Sequence, residues 1–409
     1  MRHRPSAAVA LLVSVTILAF VPSTRADAQG IQIGGDEISA TLNGILSGTF
    51  FMQDALFLTG NGQRAEFVDQ ELDEWWHGGD VRNMRLTLRL NGPRVVGDWR
   101  ANATFEMDFF AGFAGEGNFA DEQPVPRLRL AYADLTNGRT TLRVGQDWAL
   151  TLGQIPESVT HIGFPLGWGS GGFIGWRFPG VFLSQRLIDG RDGGGAELRL
   201  AAMQGSWSVE ERGGGPARPD LPSAGQAGTP QLEARLNLNG RAGDASWNAY
   251  IAGHYDQKDL TGVTQAGEPE PADDDLTSWA GVIGGSIRAD ALTLQGNGYV
   301  GQAMGHHFAH VIQFGDFEGW GAWAQAGLQF AQNWSIWLYG GTDRPDEDDI
   351  RAAGQPRLGS WLLVPMLRFK AGPYAAGIEW LYNETDYVQG AGTETRAGQQ
   401  VAFSVRFDF

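Results

Sequence analysis

The chain has 409 residues, 30 basic against 47 acidic side chains, a formal charge of −17, 59 glycines, 15 tryptophans and no cysteine. Disulfides and thiolate metal sites are excluded, and so large an acidic excess disfavours nucleic acid as a partner, because phosphate contact needs a basic surface. The length admits several ordinary domains or one large barrel, and abundant glycine and tryptophan suit strands that are apolar on one side only.

Arg2, His3 and Arg4 precede an apolar run, Ala7 to Val21, which leads to Ala26-Asp27-Ala28. A positive flank, an apolar stretch and small residues at the first and third of those positions predict an export signal over residues 1–28, removed before Gln29. The run is too short for a spanning helix, and no later stretch offers the roughly twenty apolar residues that one requires. If the mature chain, 29–409, crosses a membrane, strands carry it.

Alternation at period two predicts the first strand from about Glu37 to Met52, followed by a long polar link, Asp54 to Asp80. Val81 to Asn91 and Asp98 to Asp108 pair through a turn region at Asn91-Gly92-Pro93, and a glycine-rich link, Ala111 to Gln123, comes next. Arg127 to Leu135 and Thr140 to Leu152 join through Asn137-Gly138, a pair that tolerates positive φ and signals a hairpin. Trp176 to Ile188 turns at Gly193-Gly194-Gly195 into Ala196 to Trp207, and Leu232 to Leu238 turns at Asn239-Gly240 into Ser246 to Tyr255. Three more pairs follow: Trp279 to Ile287 with Leu292 to Met304, Trp320 to Phe330 with Trp334 to Thr342, and Gly359 to Phe369 with Tyr374 to Tyr382. Gln399 to Phe409 ends the chain.

The pattern predicts an all-β fold, a transmembrane antiparallel up-and-down barrel of about sixteen strands, with long outer loops alternating with short inner turns. Closure leaves no unpaired backbone edge facing lipid, where each unsatisfied group costs several kcal/mol. In the last segment Val401, Phe403, Val405, Phe407 and Phe409 alternate with Gln400, Ala402, Ser404, Arg406 and Asp408. A terminal strand of this kind, ending on an aromatic residue, looks like the assembly signal of outer-membrane barrels. The barrel-assembly machinery, reading Phe409, is thus an expected partner, together with outer-membrane lipid and lipopolysaccharide.

Sorting the two faces locates the lumen. Trp99, Ala101, Ala103, Phe105 and Met107 oppose Arg100, Asn102, Thr104, Glu106 and Asp108, while neighbouring strands set leucines against Arg85, Arg89, Arg127, Arg129 and Arg143. An arginine on the lipid face costs about 2–4 kcal/mol at the midplane, so these groups belong inside. They predict a continuous basic stripe on one wall, which concentrates anions. A second reading has them pair with Glu106, Asp108, Asp147, Glu197 and Glu233 to hold the wall; the two are compatible. Trp148, Trp176, Trp247, Trp279, Trp334 and Trp380, near strand ends, are expected to anchor in the headgroup layer.

The link Gly153 to Gly175 stands apart: it holds Ile155, Phe164, Leu166, Trp168 and Phe173 with Glu157 its one charged residue. A solvated outer loop has no use for such residues, so the segment is expected to fold into the lumen as a constriction, with packing at a rim or subunit interface as the alternative. Glu157, Phe164 and Trp168 are its candidate site residues.

Glu106-Met107-Asp108-Phe109-Phe110-Ala111-Gly112, Arg127-Leu128-Arg129-Leu130-Ala131-Tyr132 and Val144-Gly145-Gln146-Asp147-Trp148, followed by Arg177-Phe178-Pro179, resemble in order and spacing the signature of DcaP-like outer-membrane porins. The match covers roughly Val81 to Asp189. The resemblance implies a homotrimer of sixteen-stranded barrels passing small anionic solutes such as dicarboxylates, and points to Arg127, Arg129 and Arg177 in the constriction. A coiled-coil arm before the barrel, carried by several relatives, has no match here, where Gln29 to Asp36 precede the first strand.

Other chemistry is assigned no role. His306, His307 and His310 have metal-binding spacing but no evident further ligand, and acidic runs such as Asp273 to Asp275 and Asp346 to Asp349 read as solvated loop charge rather than calcium sites. Ser170, Ser184 and His161 could serve a barrel hydrolase, yet no spacing singles them out. The expectation is therefore no enzyme, no cofactor and no bound metal. A barrel adhesin or structural barrel, or less readily a hydrolase, is the alternative to a porin.

Overall fold

The computed structural model describes residues 31–34, 38–58, 64–111, 113–114, 123–160, 165–190, 193–204, 230–259 and 275–409. Its strands, in chain order, are β1 (Ile31–Gly34), β2 (Ser39–Phe57), β3 (Val68–Asp80), β4 (Arg85–Val96), β5 (Trp99–Asp108), β6 (Phe113–Ala114), β7 (Gln123–Pro124), β8 (Arg127–Thr136), β9 (Thr140–Trp148) and β10 (Arg177–Asp189). There follow β11 (Gly194–Met203), β12 (Gln231–Ala242), β13 (Ala245–Asp259), β14 (Asp275–Ala289), β15 (Leu292–Gln302), β16 (Glu318–Ala331), β17 (Trp334–Pro345), β18 (Arg357–Ala371), β19 (Tyr374–Gln389) and β20 (Gly392–Asp408). One short helix, α1 (Glu347–Ala352), is capped by the Asp346 carboxylate, which accepts from the amides of Asp348 and Asp349.

Each wall strand pairs antiparallel with the next, and β20 pairs with β2, Phe403 lying opposite Phe50 and Asp408 opposite Ile45. The sheet is closed. β3 and β4 share one place in the wall, both pairing with β2, so β2, that shared place, β5 and the run from β8 to β20 make a sixteen-stranded barrel. Phe409 and Gly44 exchange backbone hydrogen bonds beside the β2–β20 seam, and β1 is an additional strand that pairs with the start of β2.

Alternation does what the physical chemistry of a membrane wall asks. Phe50, Ile251 and Ile283 are at least 60% exposed on the outside, whereas Asn383, Thr385, Gln400 and Ser404 are fully buried on the inside. In β20, Val401, Phe403 and Phe407 point out while Ala402 and Ser404 point in, and Ser404 meets Thr49 of the adjacent strand at 2.5 Å.

Several expected boundaries are corrected. The polar link over Asp54 to Asp80 is mostly strand: β2 continues to Phe57, and the acidic run Asp69 to Glu74 lies on β3 with its side chains largely exposed. The hairpin expected at Asn91-Gly92-Pro93 turns instead at Gly97-Asp98, where Gly97 has φ +51, and Pro93 sits in an irregular stretch of the β4–β5 register. Asn239-Gly240 lies within β12, and its turn is at Gly243 (φ +60). Asn137-Gly138 is a turn as expected, with Asn137 Oδ1 accepting from the amides of Arg139 and Thr140. The strand expected to end at Thr342 runs on to Pro345, and Asp343, buried on β17, accepts from Tyr299 Oη at 3.0 Å.

Candidate functional site

In the link between β9 and β10, residues 149–176, the described stretches 149–160 and 165–176 lie inside the barrel. Leaving β9, its Leu150 and Thr151 amides donate to Glu233 of β12, and Arg235 of β12 donates back to the Leu150 and Leu152 carbonyls. Gln154 reaches Asn248 of β13. Further on, Gln325 of β16 accepts from the Glu157 amide and donates to the Glu157 carbonyl, and Arg368 of β18 donates to the Glu157 carboxylate at 2.6 Å. Glu379 of β19, fully buried, then accepts from Ser158 Oγ (2.5 Å) and from the amides of Val159 (2.8 Å), Thr160 (3.2 Å) and Leu166 (3.4 Å).

The return is apolar and close. Leu166 packs among Phe57, Val68, Trp323, Tyr339, Leu362, Val364 and Leu381, while Trp168 stacks edge-on against Phe173 at 5.0 Å. The Ser170-Gly171-Gly172 stretch lies directly on the β16–β17 backbone. A Cβ at Gly172, whose φ is +74, would stand 2.2 Å from the Thr342 carbonyl oxygen, and one at Gly341 2.1 Å from that of Gly171. Glycine is required on both sides of this contact. The buried apolar side chains that seemed misplaced in an outer loop have their partners on the inner wall.

Beside the base of this segment lies a cluster of charge. Arg127 of β8 makes a two-pronged bond to Asp108 of β5 (3.0 and 2.8 Å), and Arg129 bridges Glu106 (2.8 Å) and Asp108 (2.7 Å). Arg85 of β4 lies 3.8 Å from Glu106. Arg143 of β9 grips Asp134 (2.7 and 2.8 Å) and also bonds Asp147. Arg177, at the start of β10, is 6% exposed, and its Nε and Nη1 have no hydrogen-bond partner; its guanidinium lies over Trp176 at 4.2 Å and Trp148 at 5.0 Å. Five guanidinium groups thus share the wall with four carboxylates. An open cavity of about 260 Å³ adjoins the cluster and is lined by Arg85, Arg89, Glu106, Arg406 and Asp408 among others.

The continuous stripe is therefore divided. Arg85, Arg127, Arg129 and Arg177 gather around Glu106 and Asp108, whereas Arg100 is exposed at the turn end of β5, six residues or about 20 Å along the strand from Glu106. Arg89 lies further along β4, bonded to Asn43. Trp148 and Trp176 are not headgroup anchors: they meet edge-on at 6.2 Å and stack on Arg129 and Arg177. Gly145, at φ +133 with the Ala131 carbonyl too near for any Cβ, lets β9 keep its pairing with β8 and β10 on the way to Trp148. Phe164 and His161 lie outside the described residues. Glu379, Arg235, Arg368 and Gln325, which position the inner segment, carry no motif; their one signal is a polar side chain alternating inward on an otherwise apolar strand.

No protein-family model matches the sequence, and no curated protein matches it. Among solved structures it superposes on the outer membrane channel DcaP of Acinetobacter baumannii with a TM-score of 0.69, at 17% identity over 93% of this chain and 100% of that one. The fold is that of the outer-membrane porins. The porin fold recurs in the anion-selective porin from Comamonas acidovorans (TM-score 0.54, 13% identity, 91% and 100% covered) and in Pseudomonas putida OprB (0.52, 10%, 90% and 94%). At these identities the likeness to DcaP-like porins stands as one of fold.

Proposed function

We propose that this chain is a passive diffusion porin of the bacterial outer membrane, exported by the signal over residues 1–28, assembled as a homotrimer and selective for small hydrophilic anions such as dicarboxylates. The observation that carries the reading is the inner segment, tied to β12, β13, β16, β18 and β19 beside an arginine cluster. The segment sets the size limit. The arginines set the sign: Arg85, Arg127, Arg129 and Arg177 hold positive charge in a low-dielectric bore, where it lowers the energy of an entering anion and raises that of a cation. Pairing of Arg127 and Arg129 with Glu106 and Asp108 fixes their geometry, and Arg177, with two nitrogens unpartnered, is the group best placed to meet a carboxylate, which a guanidinium binds through two parallel bonds.

No bond is made or broken in this mechanism, so no residue acts as nucleophile or base. Liposome swelling tests it. Vesicles carrying the protein are expected to admit a four-carbon dicarboxylate faster than a diamine of the same length; equal rates would remove the selectivity, and no swelling with either would remove the pore.

A further inference from the structure

Three histidines from two separate parts of the chain meet inside the barrel. His254 projects from β13, and His306 and His307 occupy a single turn, Gly305–His307, after β15. One ring nitrogen from each lies within 4.8 Å of the others, and all three side chains are buried. The ring centroids are 4.5 Å (His306–His307), 4.7 Å (His254–His307) and 5.8 Å (His254–His306) apart.

The surroundings are arranged for ligation. Glu233 Oε1 lies 3.0 Å from His254 Nδ1, the pattern by which a carboxylate orients a metal-binding imidazole, and His254 Nε2 meets Ser278 Oγ at 3.1 Å, a contact that a metal ion would replace. Thr151 Oγ1 lies 3.2 Å from His307 Nδ1, and His307 Nε2 lies 3.1 Å from Gln231 Nε2, a contact that a metal ion would replace, and 3.8 Å from the same Glu233 oxygen. His306 is the decisive residue: it is 4% exposed, and neither Nδ1 nor Nε2 has a hydrogen-bond partner. A hydrogen-bonding group buried without a partner is costly, and a metal ion would satisfy it. Burial holds His306 and His307 well below the usual imidazole range, hence uncharged, as ligands must be. Lys258 stands nearby, but its charge is met by Asp256.

We propose that His254, His306 and His307 bind a divalent transition-metal ion of the zinc class, with Glu233 as the outer carboxylate or fourth ligand. Three imidazoles select against magnesium and calcium, which take oxygen ligands. Zinc–nitrogen bonds of about 2.0–2.1 Å place tetrahedral donors about 3.4 Å apart, so the nitrogens close by roughly 1.5 Å at most. The ion would join the walls β12 and β13 to the segment after β15, whose His307 carbonyl accepts from the Gly175 amide of the inner segment. Binding itself does not depend on the transport reading.

The test is zinc content of the detergent-purified full chain after equilibration with micromolar zinc and removal of excess, alongside His306→Ala, His254→Ala and His310→Ala. The expected result is about one zinc per chain, retained in H310A and lost in H306A and H254A, with cobalt in place of zinc giving the visible absorption of a tetrahedral site. Heat-modifiable gel mobility identifies variants that keep the barrel. Wild-type zinc no higher than in a folded H306A variant, or a cobalt spectrum of six-coordinate aqueous type, would overturn the proposal.

Discussion

Removing the Glu379 carboxylate should release the inner segment while leaving the barrel closed. That carboxylate accepts from Ser158 Oγ and from the Val159, Thr160 and Leu166 amides, and no other side chain binds so many groups of the segment among the described residues. Hydrogen bonds to a charged group contribute about 1.5–3 kcal/mol each. They are not additive, and alanine also relieves the burial of a charge, so the net effect of Glu379→Ala is set at about 3 kcal/mol. At about 1.4 kcal/mol per tenfold, this raises the population of the undocked segment roughly 10²-fold. Single-channel recordings should then show a larger and noisier conductance. Glu379→Gln, which keeps one acceptor oxygen, should fall between the two. If Glu379→Ala leaves conductance and noise unchanged in a barrel of normal heat-modifiability, the segment does not limit the bore, and the constriction reading is wrong.

Replacing Arg127 and Arg129 together by alanine should shift the reversal potential toward cations, because Glu106 and Asp108 lose their closest partners at the same time. Arg177→Ala should shift it in the same direction with less loss of stability, since it breaks no ion pair; an unchanged potential in both would remove the cluster from selectivity. Gly172→Val should destabilise docking of the segment by at least about 1–3 kcal/mol, given a strained φ and no room for a Cβ, and limited proteolysis within 149–176 is the readout. Burial pushes His310 down to about 3, whereas the unfolded imidazole titrates near 6.5, so the unfolded segment binds more protons across that interval. Stability of the segment 303–317 is therefore present at neutral pH and lost as pH falls below about 6.5; His310→Leu, which cannot charge, should make the proteolysis profile between pH 7 and 4 less steep, the remaining slope coming from His306 and His307, which burial also holds low.

The wall of this barrel is legible in sequence because period-two alternation encodes one local choice, lipid or lumen, at every residue. Val401 to Phe407 and Phe105 to Asp108 fall on the faces that their polarity dictates. Turn chemistry was less reliable. Asn91 and Asn239-Gly240 carry hairpin residues yet continue as strand, since pairing with neighbours on both sides outweighs a local preference of under a few kcal/mol. The inner segment was visible as misplaced apolar composition, but not its anchors: Glu379 lies 220 residues from Val159, and only closure of the barrel brings them together. The histidines show the same limit. Spacing selects His306, His307 and His310, whereas the third imidazole near the first two is His254, supplied by a strand earlier in the wall.

An open, anion-preferring bore is tested most directly by the reversal potential of the purified wild-type protein in a planar bilayer under a tenfold potassium chloride gradient. Steady ohmic steps with a potential of the sign set by chloride are expected. Steps reversing at the potassium side would contradict the role of the arginines, and a bilayer that stays silent with folded protein inserted would contradict the pore itself.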